Sequence, residues 1–352
     1  MAIFNQPFLS GGFPSMNRAV AAGAVGGWVE LGRTTLGSAG DTITVSSIAD
    51  KRYYMILGDL QDTGGNINTL LRFNSDAGSN YAYRYSDDGG TDSALTSQGD
   101  NRIWIAEQSA PIFHVGYAAN RSANEKLVIN HSVTEQAAGE ATAPSRMEFT
   151  GKWDNTSNAI DTVSMINSKA GSYNTGSEVV VLGWDPADTH TNNFWTELAD
   201  ASWSSGSSFD TGTFTAKKYL WVQGWVDSAT TNYYPLIDVG NGTLDTGSNY
   251  ALRRSYDGAT DVTSTSRASW EIEMSGTASP KYFNLFIINN ASNEKLGIMH
   301  AIAQLTAGAG TAPSRRETVC KWDNTSNQIN IIGLKTTTGD FTGGQIKVWG
   351  AD

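Results

Sequence analysis

The strongest constraint on this chain is an internal repeat with a fixed spacing of 169 residues. The segment Asp76–Asp92 matches Asp245–Asp261 at 12 of 17 positions, and Thr142–Ile160 matches Thr311–Ile329 at 14 of 19. The tetrapeptide Asn-Glu-Lys-Leu at 124–127 recurs at 293–296, between the two longer matches. Because the spacing is constant, the pattern indicates one ancestral unit present in two copies, and it predicts two domains of one fold.

Weaker matches at the borders give the limits of the two units. WVEL at 28–31 recurs as WTEL at 195–198, and both copies end in a glycine-flanked apolar segment. We therefore expect a first repeat over residues 28–185, a polar linker over 186–194 and a second repeat over 195–352. Residues 1–27 belong to neither copy. Their apolar residues Phe4, Phe8 and Phe13 lie among Gly and Pro, which predicts an arm that docks on a partner, with a functionless tail as the alternative.

Each unit is predicted to be all-β. Short segments rich in β-branched and aromatic residues, such as 53–60, 81–86, 112–120, 126–134 and 178–184, are separated by Gly, Asp, Asn and Ser clusters. The one helical candidate, 133–141, is short and runs into sequence with Gly and Pro. The segment 282–289 is apolar on both faces, so we expect a central strand covered on both sides. The pattern favours two tandem antiparallel β-sandwich domains with jelly-roll-like connections, from an internal duplication, over a barrel or a propeller.

Composition argues against several classes of function. The chain has 24 Lys+Arg against 35 Asp+Glu, a formal net charge of −11 and no basic cluster, which argues against nucleic-acid binding. The single cysteine, Cys320, rules out an intrachain disulfide and a cysteine-based zinc site, and the four histidines lack ligand spacing. No apolar run approaches the roughly 20 residues that cross a bilayer. We therefore expect neither nucleic-acid nor membrane partners.

The acidic turns that recur in both copies are weak candidates for metal ligands. Closely spaced carboxylates suit a hard cation such as Ca²⁺. The competing interpretation is a hairpin turn, because Asp-Gly supplies the positive φ that a primed turn requires. We favour the turn and predict no bound metal and no cofactor. The candidate carboxylates are Asp76, Asp88, Asp92, Asp245, Asp257 and Asp261.

The aromatic residues that recur are candidates for glycan or subunit contacts, namely Tyr81 and Trp153 with Tyr250 and Trp322. Packing inside the sandwich is the competing role, and we favour it for the tryptophans. The repeated Glu-Lys pairs at 125–126 and 294–295 predict ion pairs at strand edges. Nucleophile-elbow and phosphate-loop motifs do not occur, and the repeated residues suit turns and packing. We therefore predict no catalytic residues, with a glycoside hydrolase as the disfavoured alternative.

Several of these motifs together resemble the repeat unit of virion proteins from marine tailed viruses of bacteria and archaea. The resemblance covers nearly all of the chain after residue 27, and the second copy departs from it at its beginning and end. It implies a non-enzymatic structural protein of the virion, assembled in the host cytoplasm, and no catalytic residues. The motifs are W-x-E-L-G-R-T-T-L-G-S-A-G-D-x-I-x-V at 28–45, R-F-N-S-D-x-G-S-N-Y-A at 72–82, N-E-K-L at 124–127, R-x-E-x-x-G-K-W at 146–153 and G-S-E-V-V-V-L-G at 176–183.

We therefore predict a capsid decoration, turret or short fibre subunit. Its expected partners are other virion proteins, either major capsid or tail proteins, further copies of itself in a trimer, and host surface glycans. A double jelly-roll major capsid protein is the alternative within this class. A carbohydrate-binding, lectin-like module is the alternative of another class.

Overall fold

The computed structural model describes residues 27–104, 110–189, 192–272 and 277–352. These residues form β-strands and no helix, so none of the described segments is a helix that could span a membrane. The predicted strands at 53–60, 126–134 and 178–184 are observed with the same bounds. The strands of the first half are β1 (Val29–Thr35), β2 (Thr42–Ser46), β3 (Tyr53–Leu60), β4 (Thr69–Phe73), β5 (Tyr81–Asp87), β6 (Ser93–Gln98), β7 (Asn101–Arg102), β8 (Ile112–Ala119), β9 (Lys126–Thr134), β10 (Ser145–Trp153), β11 (Thr162–Asn167) and β12 (Glu178–Trp184).

The second half repeats this series of strands. Strands β18 to β24 begin and end 169 residues after β5 to β11, as Tyr250–Tyr256 does after Tyr81–Asp87. The polar connector between the halves lies between the end of β12 at Trp184 and the start of β13 at Thr196. The strands are β13 (Thr196–Trp203), β14 (Ser208–Asp210), β15 (Tyr219–Ala229), β16 (Pro235–Asn241), β17 (Thr243–Leu244), β18 (Tyr250–Tyr256), β19 (Val262–Arg267), β20 (Trp270–Glu271), β21 (Lys281–Ile288), β22 (Lys295–Ala303), β23 (Ser314–Trp322), β24 (Ile331–Thr336) and β25 (Phe341–Ala351).

Each half consists of one large and one small antiparallel sheet. In the first half the large sheet has the order β1-β12-β3-β8-β9-β10-β5-β6, and the small sheet has the order β2-β11-β4-β7. In the second half the orders are β13-β25-β15-β21-β22-β23-β18-β19 and β14-β24-β16-β17, with β20 also paired to β16. The two large sheets therefore share one strand order when their strands are matched along the chain.

A separate apolar core lies between the large and small sheets of each half. Side chains alternate along each strand, so one face of every strand can contribute to this core. In the first half Ile56 of β3 packs with Leu71 of β4, and in the second half Leu220 of β15 packs with Ile237 of β16. The described residues therefore form two antiparallel β-sandwiches, in agreement with the predicted all-β class.

A third core joins the two halves, because the outer faces of the two large sheets pack on each other. Strand β21 contributes to two cores: Leu285 faces its own sandwich, and Phe286 faces the first half. This is the doubly covered strand that the apolar segment predicted. The sheets thus stack in the order small, large, large, small. The third core contains Met55, Leu57, Phe113, Val115, Val133, Val180 and Leu182 from the first half and Trp195, Tyr219, Trp221, Phe286, Ile288, Leu296, Ile298, Val319, Trp349 and Ala351 from the second.

Candidate functional site at the contact between the two halves

Each repeated acidic segment contains a tight β-turn, in which the amide of Gly90 donates to Asp87 O and the amide of Ala259 donates to Tyr256 O. Asp88 and Gly89 have φ values of 48° and 69°, and Asp257 and Gly258 have φ values of 49° and 76°. A primed two-residue turn requires positive φ at both central residues, and Asp-Gly tolerates this conformation. Within the described residues, no group of three or more His, Cys, Asp or Glu side chains is arranged to hold a metal ion. Asp92 lies in the same hairpin as Asp88, exposed and 3.8 Å from Arg84.

Two other aspartates among the metal candidates hold the repeated tryptophans. The indole Nε1 of Trp153 donates to Asp76 at 2.8 Å, and that of Trp322 donates to Asp245 at 2.8 Å. Burial would raise the pKa of each aspartate, but the hydrogen bonds from the indole and from neighbouring amides outweigh burial and lower the pKa. These carboxylates therefore act as acceptors inside the fold.

The four aromatic candidates for glycan contact lie inside the sandwich cores. Tyr81 and Trp153 are 1% and 0% exposed, and Tyr250 and Trp322 are 0% and 1% exposed. A sugar ring stacks only on an aromatic face that solvent can reach. The expectation that these rings bind a glycan or a partner is therefore corrected: each ring packs against its own sandwich.

The repeated Glu-Lys pairs also differ from the predicted ion pairs. Lys126 and Lys295 are 0% exposed, and each donates to backbone carbonyl oxygens of two loops. A buried ammonium is stabilised when carbonyl oxygens satisfy its donors. The neighbouring glutamates pair across the strand instead, as Glu125–Lys152 at 2.8 Å and Glu294–Lys321 at 3.3 Å.

A buried cluster of charged residues lies where the two halves meet. The side chain of Arg146 in β10 is 5% exposed, and its Nε and Nη2 atoms each lie 2.8 Å from a carboxylate oxygen of Asp261. Asp261 is 2% exposed, so this bidentate pair is almost fully removed from water. Glu148 and Glu317 flank the same guanidinium. Burial raises the pKa of Glu148; Arg146 opposes this shift, and Glu317 adds to it.

Two histidines at corresponding positions meet in the same region. The rings of His131 in β9 and His300 in β22 have centroids 4.6 Å apart. Burial lowers the pKa of His131 to about 3 and also lowers that of His300, so both rings are neutral at pH 7. The space enclosed by the histidines, Arg146 and the two glutamates is about 10 Å³, which is about the room that one water needs. The cluster fixes the contact between the halves and leaves no space for a substrate.

A groove on the outer face of the second half is filled by a loop of the first half. This second groove has Leu296 and Ile298 at its floor and Lys321 at its rim, and all three are buried. The loop that fills it, Glu135–Pro144, joins β9 to β10 and is named the first loop. Lys321 Nζ donates to the carbonyl oxygen of Ala137 at 2.6 Å. The other polar contacts are Lys321 to Glu135 O, the Gly139 amide to the Glu294 carboxylate, Ser266 N to Glu140 O, and Arg253 Nε to Pro144 O.

The corresponding groove of the first half is open. Leu127 and Ile129 are 58% and 52% exposed, whereas their counterparts Leu296 and Ile298 are 1% and 4% exposed. This first groove lies on the outer face of β9, β10, β5 and β6 and has Lys152 at its rim. The same structural position is therefore covered in one half and bare in the other.

The sequence alone singled out Asp261, as a metal candidate, but it did not single out Arg146 or the first groove. One signal was available: Arg146 and Asp261 each have an identical counterpart 169 residues away, at Arg315 and Asp92. Identity in both copies shows that the residue types recur. It does not show that they contact each other between halves.

No family model matches the chain, and no curated protein matches it. Among solved structures, the chain is similar to domains LG4-5 of the mouse laminin alpha1 chain, with 8% identity over 93% of this chain and 90% of that chain and a TM-score of 0.20. It is also similar to the VP2 subviral particle of infectious bursal disease virus, with 9% identity over 90% and 81% of the two chains and a TM-score of 0.12. Superpositions with such low TM-scores do not indicate a shared fold or function.

Proposed function

We propose that this chain is a non-enzymatic structural subunit of a virus particle, as a capsid decoration, turret or short fibre protein. The sequence resemblance to virion proteins supports a place in the virus particle. The structural observation that carries the non-enzymatic role is the use of the repeated residues inside the fold. In both copies the Asp-Trp pair and the buried lysine are bonded within their own half, and the Asp-Gly turn has the same backbone conformation. Residues kept in both copies thus maintain shape.

The pairing of the strands supports a jelly-roll connection in the first half. Antiparallel pairs β1 with β12, β2 with β11, β3 with β8 and β4 with β7 nest inside one another along the chain, and they alternate between the large and the small sheet. Such nested pairs are what a folded-over ribbon of strands produces. The hairpin strands β5, β6, β9 and β10 extend the large sheet. The matched bounds of β5 to β11 and β18 to β24 support an origin by internal duplication.

The shape of the charged cluster supports a role without catalysis. Glycoside hydrolysis needs two carboxyl groups on either side of a sugar. Glu148 and Glu317 are next to Arg146, but the space between the halves at this point is about 10 Å³, far smaller than a sugar. Glu135 is the other carboxyl whose pKa is raised to about 7, first by burial and then by Glu294. Glu135 belongs to the first loop, which fills the second groove, so the packing of this loop accounts for its burial.

A lectin-like function is the second candidate, and one observation favours it. Tyr53 stacks on Trp184 with centroids 5.5 Å apart and an interplanar angle of 20°, and Tyr53 is 37% exposed. An exposed, rigid aromatic pair suits stacking on a sugar ring. If this pair binds host glycans, Tyr53→Ala abolishes glycan-array binding without changing the unfolding curve. Binding that survives this substitution excludes the pair.

The particle role is tested on purified virus particles by quantitative mass spectrometry. We expect the chain at a fixed stoichiometry to the major capsid or tail protein, and below that of the major shell protein. A copy number equal to the whole shell favours the double jelly-roll capsid alternative, and absence from particles refutes the proposal.

The proposed attachment through the N-terminal arm concerns Phe4, Phe8 and Phe13, which lie outside the described residues. Deleting residues 1–27 is expected to leave the unfolding curve unchanged and to abolish attachment to particles. Retained attachment contradicts the arm.

A further inference from the structure

The open first groove has a ready counterpart elsewhere in the chain. The loop that joins β22 to β23, Gln304–Pro313, corresponds to the first loop and is named the second loop. Its backbone has the same unusual conformation: Leu305 and Gly308 have φ values of 61° and 91°, and Gln136 and Gly139 have φ values of 68° and 90°. Positive φ at a non-glycine residue is uncommon, so its recurrence shows that both loops have one built-in shape.

The two loops differ in what covers them. Ala143 and Pro144 of the first loop are buried, whereas Ala312 and Pro313 of the second loop are exposed. The first loop fills the second groove of the same chain. In the second loop every residue except the half-buried Leu305 is exposed.

We propose that the second loop of one chain docks in the first groove of a second copy of the chain. Every polar group of the first groove that the docking needs is of the same type as in the filled groove. Lys152 corresponds to Lys321, Glu125 to Glu294 and Arg84 to Arg253. Lys152 is expected to donate to carbonyl oxygens of the second loop, and Glu125 to accept its Gly308 amide, as the counterparts do within the chain.

The charged residues beside the first groove also favour a second copy of the chain as the partner. Within the chain Arg146 of the first half bonds Asp261 of the second half. The counterpart of this pair is Arg315 of the second half with Asp92 of the first half. Their side chains are 61% and 56% exposed, and each pairs within its own half only at 3.3 Å or more. Two chains in the proposed contact would bring Arg315 of one chain to Asp92 of the next.

Apolar surface is exposed on both sides of the proposed contact. Ile302, near the end of β22 and two residues before the second loop, is 41% exposed, and its counterpart Val133 near the end of β9 is 0% exposed in the core between the halves. Leu127 and Ile129 are the exposed apolar residues on the groove side. Burying these apolar side chains against each other stabilises the association of two chains.

When each of two chains gives its loop to the other's groove, the contact forms a closed two-fold dimer, whereas a one-way contact is heterologous. Heterologous contacts close into a ring when the rotation between copies allows it, and otherwise they propagate as a filament. The inference deepens the proposed structural function and rests on it for its biological meaning. The two can fail separately: a chain that self-associates but is absent from particles refutes only the particle role.

A charge exchange at the proposed pair tests the contact. Sedimentation velocity of the full chain over a concentration series is expected to show concentration-dependent association. Arg315→Asp and Asp92→Arg, each at an exposed position, are each expected to weaken association about tenfold or more, because like charges then face each other. The double variant is expected to return to within about threefold of the wild type. The unfolding curve of each variant shows whether it is folded.

Disulfide trapping identifies the contact directly. One chain carries Lys152→Cys and the other Thr306→Cys, and Cys320 does not interfere because it is buried. We expect a crosslinked dimer when the two variants are mixed under oxidising conditions. Thr175→Cys, exposed on another loop, replaces Thr306→Cys in the control mixture and is expected to give no dimer. A monomeric wild type, an unchanged association of the charge variants, or equal crosslinking in the control overturns the proposal.

Discussion

The pair of Arg146 and Asp261 provides a sharp test of how the two halves are held together. Replacing Arg146 by Met removes both hydrogen bonds and leaves the Asp261 carboxylate, 2% exposed, without its partner. Breaking a buried ion pair from one side costs about 3–5 kcal/mol of unfolding free energy, because the other charge stays buried and unpaired. The matched control is Arg315→Met at the corresponding position. That side chain is 61% exposed and is expected to contribute about 0–1 kcal/mol.

The assay is urea unfolding followed by tryptophan fluorescence, at low protein concentration so that self-association does not contribute. The two variants are expected to differ by at least about 2 kcal/mol, although the substitution and its local sequence are similar. The double variant Arg146→Met/Asp261→Leu is expected to be more stable than Arg146→Met alone, because the Asp261 carboxylate is then no longer buried without its partner. Equal costs for Arg146→Met and Arg315→Met, or a double variant less stable than the single one, refute the reasoning.

Three further predictions follow from burial and from pKa. The pKa of His131 is about 3 in the folded chain and about 6.5 in the unfolded chain. The neutral buried ring therefore contributes its full stabilisation above pH 6.5, and this stabilisation is lost as the pH falls. Between pH 8 and pH 5 the free energy of unfolding in urea is expected to fall by about 2 kcal/mol more for the wild type than for His131→Gln. Trp153→Phe and Trp322→Phe each remove a hydrogen bond to a carboxylate, so each is expected to cost at least about 1.5–3 kcal/mol in the same assay, and a cost near zero for either would contradict the anchoring role. Ile129→Lys is expected to change the unfolding free energy by less than about 0.5 kcal/mol, whereas Ile298→Lys buries a charge and is expected to cost more than about 3 kcal/mol. Similar values for the two variants would show that the two grooves do not differ in how they are covered.

The strands were predictable because their signal is local. Alternating β-branched and aromatic residues bounded by turn residues located β3, β9 and β12 with their observed bounds. Strands β1 and β6 lie at the two edges of the large sheet, and neither has a fully buried residue, so their sequences lack the apolar alternation of a strand that packs one face into a core. The apolar pattern at 282–289 was the one signal for a layer beyond the sandwich, since β21 is covered on both faces.

The segment 133–141, the one helical candidate, is in fact the end of β9 followed by the first loop. Gln136 and Gly139 both have positive φ, which a right-handed helix excludes. Their conformation allows the loop to present carbonyl oxygens to Lys321 of the other half. Such a contact spans more than 180 residues, so no local pattern can reveal it.

The candidate site was predictable only as a list of residue types. Arg146 and Arg315 both follow the tetrapeptide TAPS, yet one lies in a buried bidentate pair and the other is exposed. Tyr81 and Trp153 were singled out correctly as repeated residues, but their burial, which decides between packing and sugar binding, depends on the opposite sheet. Equivalent residues such as Arg146 and Arg315 are therefore of one type and differ only in their surroundings.

The proposed duplication joins two copies of one unit in a single chain, which changes how many neighbours that unit can bind. A separate unit has one loop and one groove, and each of its two contacts is made with another molecule. In the joined chain one loop already fills one groove within the same molecule, so the chain has a single loop and a single groove left for contacts with other copies. Because linkage makes the internal contact intramolecular, it forms at high effective concentration and is present in every chain. Under the proposed duplication, the fused chain therefore needs half as many intermolecular contacts per unit to form a ring or fibre of the same size.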